Sequence, residues 1–336
     1  MNYSEILLAH GSGGVLTHDL IAETFLPALS NRYLELLEDS AVFEIEGKRL
    51  CFTTDTYVVN PIFFPGGDIG SLAVHGTVND LAACGGRPLV LSAGFILEEG
   101  FPLDDLKKIV ASMSQASIRA GVPIAAGDTK VVPKGAADKV FINTSGVGII
   151  EYSGRISVNS IRDGDAVILS GSIGDHGASI LCKRENIRAA SPILSDSAPL
   201  NSLVDRVLLA SHGVHCMRDA TRGGLGGILW EIAQQAQLTI SLEEKNIPVR
   251  EPVRGVCEML GLDPLFIANE GKMVIFCDPD DADAVIDAMR GHELGKDACL
   301  IGRVEAGPHP RVILTTIIGG QRVLDLPIGE LVPRIC

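Results

Sequence analysis

Tyr152-Ser153-Gly154-Arg155-Ile156-Ser157-Val158-Asn159-Ser160-Ile161-Arg162-Asp163 is a polar, glycine-containing stretch near the middle of a 336-residue chain. Reading it as a linker decides the fold, because it divides the chain into two halves of similar size. Length supports the division: 336 residues exceed one ordinary core and suit two domains of roughly 150 residues each. Immediately before the linker, Lys139 to Ile150 reads as a strand through Asn143-Thr144-Ser145. Immediately after it, Asp165 to Leu169 reads as a strand running into the glycine-rich turn Gly171-Ser172-Ile173-Gly174-Asp175-His176-Gly177, which opens a helix.

Further out on the N-terminal side, 42–46 and 49–54 alternate about Gly47-Lys48 as a β-hairpin, with Asp55 at the end of its second strand. Asp68 to Cys84 reads as a small-residue helix closed by Gly85-Gly86 and Pro88. A strand over 88–97, a helix over 103–120 ended by Gly121, and a strand over 122–126 running into Gly127-Asp128-Thr129-Lys130 complete that half. On the C-terminal side, Met217-Arg218-Asp219-Ala220-Thr221-Arg222-Gly223-Gly224 leads into a helix over 225–235. Ile267-Ala268-Asn269-Glu270-Gly271 precedes a strand over 273–277, with a helix at 280–290 and strands at 298–304 and 310–316 beyond it. Both halves mix strands and helices in similar number, so the expected class is α+β. The domains are expected at 1–152 and 164–326, followed by a flexible tail at 327–336.

The charge balance is 28 − 42 = −14, which argues against binding a nucleic-acid backbone or an anionic membrane surface. No run approaches the roughly 20 apolar residues of a membrane helix, and Met1-Asn2-Tyr3-Ser4-Glu5 lacks the basic start of a signal peptide. The eight cysteines are scattered with no C-x-x-C pair, which is not a zinc or iron–sulfur pattern. They read as reduced thiols of a cytoplasmic protein.

Asp55 and Asp128 each follow an apolar strand, and Asp80 stands beside Asn79 in a helix of small residues. Gathered carboxylates repel unless a cation compensates, and hard oxygen donors favour Mg²⁺. The same aspartates also suit caps and turns. Lys130, two residues past Asp128, suits phosphate or developing negative charge. Glu270 beside an apolar strand suits a general base of raised pKa, or an ion pair. Arg218, Asp219 and Arg222 before Gly223-Gly224 can clamp an anion or form an internal salt bridge. His10-Gly11-Ser12-Gly13-Gly14, ahead of helical spacing at 20–28, is a loop whose bare N–H groups can wrap phosphates, although it matches neither the P-loop nor the dinucleotide fingerprint. His10 and His176 on their glycine loops carry no assignment by themselves.

The sequence closes on Pro333-Arg334-Ile335-Cys336. An exposed thiol invites oxidation, so a cysteine here reads either as chance or as a carrier on an arm. From Leu326 that arm could reach roughly 30 Å when extended, and Pro327 and Pro333 keep it from regular structure.

Together the His10–Gly14 loop, Thr54-Asp55-Thr56-Tyr57-Val58, Asn79-Asp80-Leu81-Ala82, Gly127-Asp128-Thr129-Lys130-Val131, Arg218–Gly224, Asn269-Glu270-Gly271 and the closing Pro-Arg-Ile-Cys resemble one family. It is the HypE carbamoyl dehydratases of hydrogenase maturation, within the aminoimidazole-ribonucleotide-synthetase-like (PurM-like) ATP-binding superfamily. The likeness runs from near residue 7 to the end. The aspartate motifs belong to the superfamily, and the terminal Pro-Arg-Ile-Cys to this member. Selenophosphate synthetases and thiamine-phosphate kinases share the scaffold, and a non-enzymatic thiol or metal carrier is a third possibility. Glu38-Asp39-Ser40-Ala41 departs from the pattern, since relatives often carry paired aspartates there, which leaves Asp39 outside the expected metal set.

The resemblance implies a PurM-like N-terminal domain that binds ATP and pairs into a homodimer, and a PurM-like C-terminal domain. It implies [NiFe]-hydrogenase maturation: a carbamoyltransferase partner (HypF) loads Cys336, ATP activates the carbamoyl oxygen, and the resulting thiocyanate passes cyanide to an iron-carrying HypC–HypD complex. Asp55, Asp80 and Asp128 would hold Mg²⁺. Gly11, Ser12, Gly13, Gly14, Asn79 and Arg222 would join them in binding nucleotide, Lys130 would stabilise phosphate, and Glu270 would remove the amide protons.

Overall fold

The computed structural model describes residues 4–189, 191–327, 332 and 334–336. Near the N-terminus, α1 (Val15–Leu20) and α2 (Leu26–Leu29) flank a π-helical turn at Ile21–Phe25, so the helical spacing at 20–28 yields a broken helix. Then β1 (Ala41–Ile45) and β2 (Lys48–Tyr57) form the expected hairpin. Its turn falls one residue early, at Glu46-Gly47, with φ of 51° and 74°. A two-residue hairpin loop of type I′ needs positive φ at both central residues, which matches the twist of the flanking strands.

A short ribbon of β3 (Phe63–Phe64) and β4 (Gly67–Asp68) leads into α3 (Ile69–Ala83). Asp68 caps this helix, its carboxylate accepting from the N–H groups of Gly70 at 2.8 Å and Ser71 at 2.9 Å, so the first-turn donors are satisfied. Nearly every α3 residue is buried, and the small ones allow close approach. A Cβ on Gly70 would stand 2.5 Å from the Ile109 carbonyl oxygen, and one on Gly76 would stand 2.2 Å from the Tyr57 hydroxyl. Beyond α3 come β5 (Gly86–Glu98), α4 (Leu103–Ala120), β6 (Ile124–Val132) and β7 (Val140–Ile150). The first sheet runs β1-β2-β7-β5-β6, antiparallel except for the parallel β5–β6 pair.

The second half contains β8 (Ala166–Leu169), α5 (Asp175–Arg184), α6 (Asn201–Ala210), β9 (Val214–Asp219) and α7 (Gly224–Ala236). It continues with β10 (Thr239–Glu243), α8 (Glu251–Leu260), β11 (Met273–Cys277), α9 (Ala282–Arg290), β12 (Cys299–Glu305), β13 (Arg311–Thr315) and β14 (Gln321–Leu324). Its sheet runs β14-β13-β10-β12-β8-β11-β9. α3 packs on β2, β5 and β7 of its own sheet and on β9 and α6 of the second half, so it is shared by both cores.

Three readings of the sequence are corrected here. β2 runs through Asp55 to Tyr57, because alternating Thr53, Asp55 and Tyr57 keep pairing with β7. β6 runs through Asp128 to Val132, carried by its pairing with β5. Met217-Arg218-Asp219, read only as the approach to the helix over 225–235, ends a strand buried along its whole length. Pro333 and residues 328–331 of the expected arm lie outside the described residues.

Leu72 is fully buried in α3. Leu72→Ala should lower unfolding free energy by about 2–5 kcal/mol, the range for a large-to-small change in a packed core, measured by urea denaturation.

Candidate functional site

A cavity of about 210 Å³ lies where the two halves meet, lined by Asp39, Thr53, Asp55, Gly76, Asp80, Asp219, Arg222, Glu270 and Cys336 among others. Asp80 comes from the last turn of α3, Asp39 from the approach to β1, and Asp219 from the end of β9. One carboxylate oxygen of each lies within 4.8 Å of the others. Thr53 Oγ1 sits between them, 2.9 Å from the Asp39 carbonyl oxygen and 3.0 Å from Asp80 Oδ2. Arg218 pairs with Asp39, donating also to the Leu37 carbonyl at 3.0 Å. The Arg–Asp pair read as a possible internal bridge thus joins different elements, and Arg218 does not clamp a helix N-terminus.

Three acids against one arginine leave excess negative charge. Burial, aided by the neighbouring Asp39, pushes Asp219 up to about 8. Burial and Asp219 push Asp80 well above the usual carboxylate range. Such oxygen donors in mutual reach suit a hard divalent cation.

Glu270 enters the same cavity with its carboxyl pushed well up, first by burial and then by Asp219 and Asp55. Its Oε1 is buried with no hydrogen-bond partner. Its backbone is fixed: the Glu270 N–H donates to Asp196 Oδ1 at 3.1 Å, and a Cβ on Gly271 would fall 1.9 Å from the Asp196 carbonyl oxygen. Asn79, expected to contact nucleotide, is instead an internal clamp. Its Nδ2 donates to the carbonyls of Ala198 and Glu270 at 3.1 and 3.3 Å, and its Oδ1 accepts from the Leu200 N–H at 2.8 Å. Both amide protons are thereby occupied.

The last residues dock into this cavity. Backbone N–H groups of Val58 and Asn60 donate to a carboxyl oxygen of Cys336 and the carbonyl of Arg334 at 3.0 and 3.1 Å. Arg334 donates to the Val58 carbonyl at 2.8 Å and pairs with Asp138 at 2.5 Å. Ile335 is 4% exposed. Burial raises the Cys336 thiol, with Arg222 acting in the opposite sense, so the docked sulfur is held as a thiol. The Gly13 loop packs beside it: Arg222 Nη1 donates to the Gly11 carbonyl at 3.3 Å, and a Cβ on Gly13, where φ is +79°, would stand 3.0 Å from Arg222 Cβ.

Asp128 and Lys130 are placed elsewhere. They pair with each other at 2.8 Å, both exposed, and Lys130 lowers the Asp128 pKa. They border a second cavity of about 160 Å³ with Phe95, Phe141 and Asn143. Within one chain, therefore, Asp55 and Asp80 share the first cavity while Asp128 does not, and Asp39 and Asp219 complete the carboxylate group. Nothing in local spacing pairs Asp39 with Asp219, 180 residues apart (219 − 39).

The family model described as AIR synthase related protein, N-terminal domain, matches residues 37–150, and the C-terminal domain model matches residues 162–315. Carbamoyl dehydratase HypE of Azotobacter vinelandii is 51% identical over 98% of this chain and 96% of its own length. The chain belongs to the HypE family. A solved HypE in complex with ATP is 47% identical, with a TM-score of 0.84 over 99% of this chain and all of its own. The HypE of a HypE–HypF complex is 46% identical, with a TM-score of 0.88 over 92% of this chain and 99% of its own. These HypE proteins thus share with this chain the two-domain frame that builds the cavity.

The pH dependence of stability follows from the acids. The folded state keeps Asp219 protonated up to about pH 8, whereas an unfolded aspartate releases its proton near pH 4. Folding therefore binds an extra proton between those values, and stability should fall as pH rises across the window. Asp219→Asn should flatten that slope and raise Tm at pH 8, read from thermal melts in EDTA.

Proposed function

We propose that the cavity dehydrates an S-carbamoyl group on Cys336 to a thiocyanate with consumption of ATP, the cyanide then serving a [NiFe]-hydrogenase iron. The observation carrying this reading is the docking of Cys336 against Glu270 and the carboxylate group. In the first step a carbamoyl oxygen takes the γ-phosphoryl group of ATP, giving ADP and a phosphorylated imidate once one N–H proton leaves. In the second, the C–O bond breaks, phosphate departs and the remaining N–H proton is lost, leaving S–C≡N. An amide oxygen is a poor leaving group, so phosphorylation is what makes dehydration accessible.

Glu270 is suited to take the amide protons. Its unpartnered Oε1 is an acceptor with no internal donor, and burial beside Asp219 and Asp55 strengthens its hold on a proton it takes. Arg222 lines the cavity beside Cys336 and offers charge to the departing phosphate. Asp39, Asp80 and Asp219 would hold Mg²⁺, with Asp55 on the same wall. Bound there, the ion would neutralise phosphate charge.

Asp128 and Lys130 fit the same reading through a second copy of the chain. Strand register puts Phe52, Val147 and Val90 side by side on one face of the first sheet, and Phe141, Ile96 and Lys130 side by side on that face. That face, with apolar rows on either side of the hydrogen-bonded Thr54, Ser145, Thr56 and Asn143, suits isologous pairing into a homodimer, which would bring the Asp128–Lys130 pair to a nucleotide at the interface. Loading by a HypF carbamoyltransferase is supported by the HypE–HypF complex, and a HypC–HypD complex would take the cyanide. No helix among the described residues is long and apolar enough to cross a membrane, and eight free cysteines suit a reducing cytoplasm.

Incubation with carbamoyl phosphate, a HypF carbamoyltransferase and Mg-ATP should add one carbamoyl group to the C-terminal peptide, which then loses one water by mass. Cys336→Ser should keep ATP binding and give no such product. A carbamoyl group that persists in the wild-type protein despite ATP would refute the dehydratase assignment of this cavity.

A further inference from the structure

We infer that His176 positions the thiol for dehydration by holding the carbonyl of Ile335, an inference that rests on the reading of Cys336 as carrier. His176 opens α5 in the second half and is fully buried. Its Nε2 lies 2.8 Å from the Ile335 carbonyl oxygen and its Nδ1 2.8 Å from Ser195 Oγ. The tautomer follows from the partners. A carbonyl can only accept, so Nε2 carries the proton, and Nδ1 of the neutral ring then accepts from the Ser195 hydroxyl. Ser195 Oγ is itself oriented, accepting from the Ser197 N–H at 3.1 Å, and the Phe64 ring packs edge-on to the imidazole at 5.4 Å between centroids. The imidazole is fixed before the tail arrives.

The consequence for the thiol is geometric. Val58 N–H holds an oxygen of the Cys336 carboxyl group, and His176 holds the peptide plane before its α-carbon. With both groups held, φ and ψ of Cys336 are constrained, and one torsion remains to place Sγ against Glu270 and the carboxylate group. Arg184 acts one residue earlier, donating to the Arg334 carbonyl at 3.1 Å. Loss of that contact leaves both groups at Cys336 in place, so His176 is the side chain whose contact bears directly on the sulfur.

The test uses the full chain and two readouts. Iodoacetamide labelling of Cys336, followed on the C-terminal peptide by mass spectrometry, reads docking. Single-turnover loss of water from the carbamoylated protein with Mg-ATP reads alignment. In His176→Ala, labelling should quicken and dehydration slow, each by about fivefold to tenfold, as expected for one buried hydrogen bond, with the KM for ATP unchanged. In His176→Gln the side-chain amide nitrogen can stand near the Nε2 position and should restore both rates, whereas the shorter His176→Asn should not. Ser195→Ala keeps the ring but frees its tautomer, and should change both rates in the same direction by less. Wild-type labelling in His176→Ala, or Gln and Asn variants that behave alike, would overturn the assignment. Labelling reads docking of the unloaded thiol and does not depend on its ever being carbamoylated. Failure of the wild-type protein to gain a carbamoyl group would therefore sink the carrier reading separately.

Discussion

A helix without a solvent face has to be enclosed, and α3 imposes that condition on the whole molecule. Its residues are mostly small and buried almost all round, so the first sheet and α4 cover it within its own half while α6 and β9 of the second half close the remaining side. Two domains of this size could have met through a polar, mobile interface. Enclosing α3 joins their cores, and everything that follows is built along that seam. Asp80 stands in the last turn of the shared helix, Asp219 ends the strand packed against it, and Asn79 bonds backbone on the far side. The separation of the acids is therefore set by core packing, which deforms little.

Packing also accounts for the electrostatics. Carboxylates in water would relax apart, but these are held by a helix, a strand and a short turn whose positions are decided by apolar burial elsewhere. Arg218 compensates one of them. The rest is a standing strain, expressed in the raised hold of Asp80 and Asp219 on their protons. Glu270 belongs to the same design: its backbone is clamped by Asp196 and by the close approach at Gly271, while its side chain keeps one oxygen unmatched.

Much of this was legible in the residues and some was not. Alternation, caps and glycine stops located most strands and helices of the first half, because each depends on neighbours within a few positions. Asp68 before a run of small residues, for example, signals its own helix. β9 was missed because His215, Arg218 and Asp219 look like a loop until their partners are known. Arg218 is neutralised by Asp39, and His215 meets Asp165 at 2.8 Å, contacts that no local pattern announces. The same holds for the site. Asp80, Glu270, Arg222 and Cys336 carried recognisable motifs, whereas Asp39 departed from its motif and was set aside. Asn79 sat in a motif yet turned out to serve the backbone, since its burial is a property of the domain seam. Asp128 and Lys130 were recognised as chemistry-bearing, but strand pairing turns them to the outer face.

The docked tail is held at fixed points of its main chain, Cys336 on the Val58 N–H and Arg334 on the Asn60 N–H, with the Arg334 side chain adding contacts to Val58 and Asp138. Arg334 takes a left-handed φ of +49°, so the chain turns there before it presents the cysteine. The cavity therefore identifies its thiol by position along the tail rather than by its chemical surroundings. One residue inserted between Arg334 and Cys336 would leave composition nearly unchanged yet break the spacing between the two anchored oxygens and carry the sulfur away from Glu270. The arm behaves as a measured length of chain, and the two residues ahead of the cysteine are divisions of that ruler.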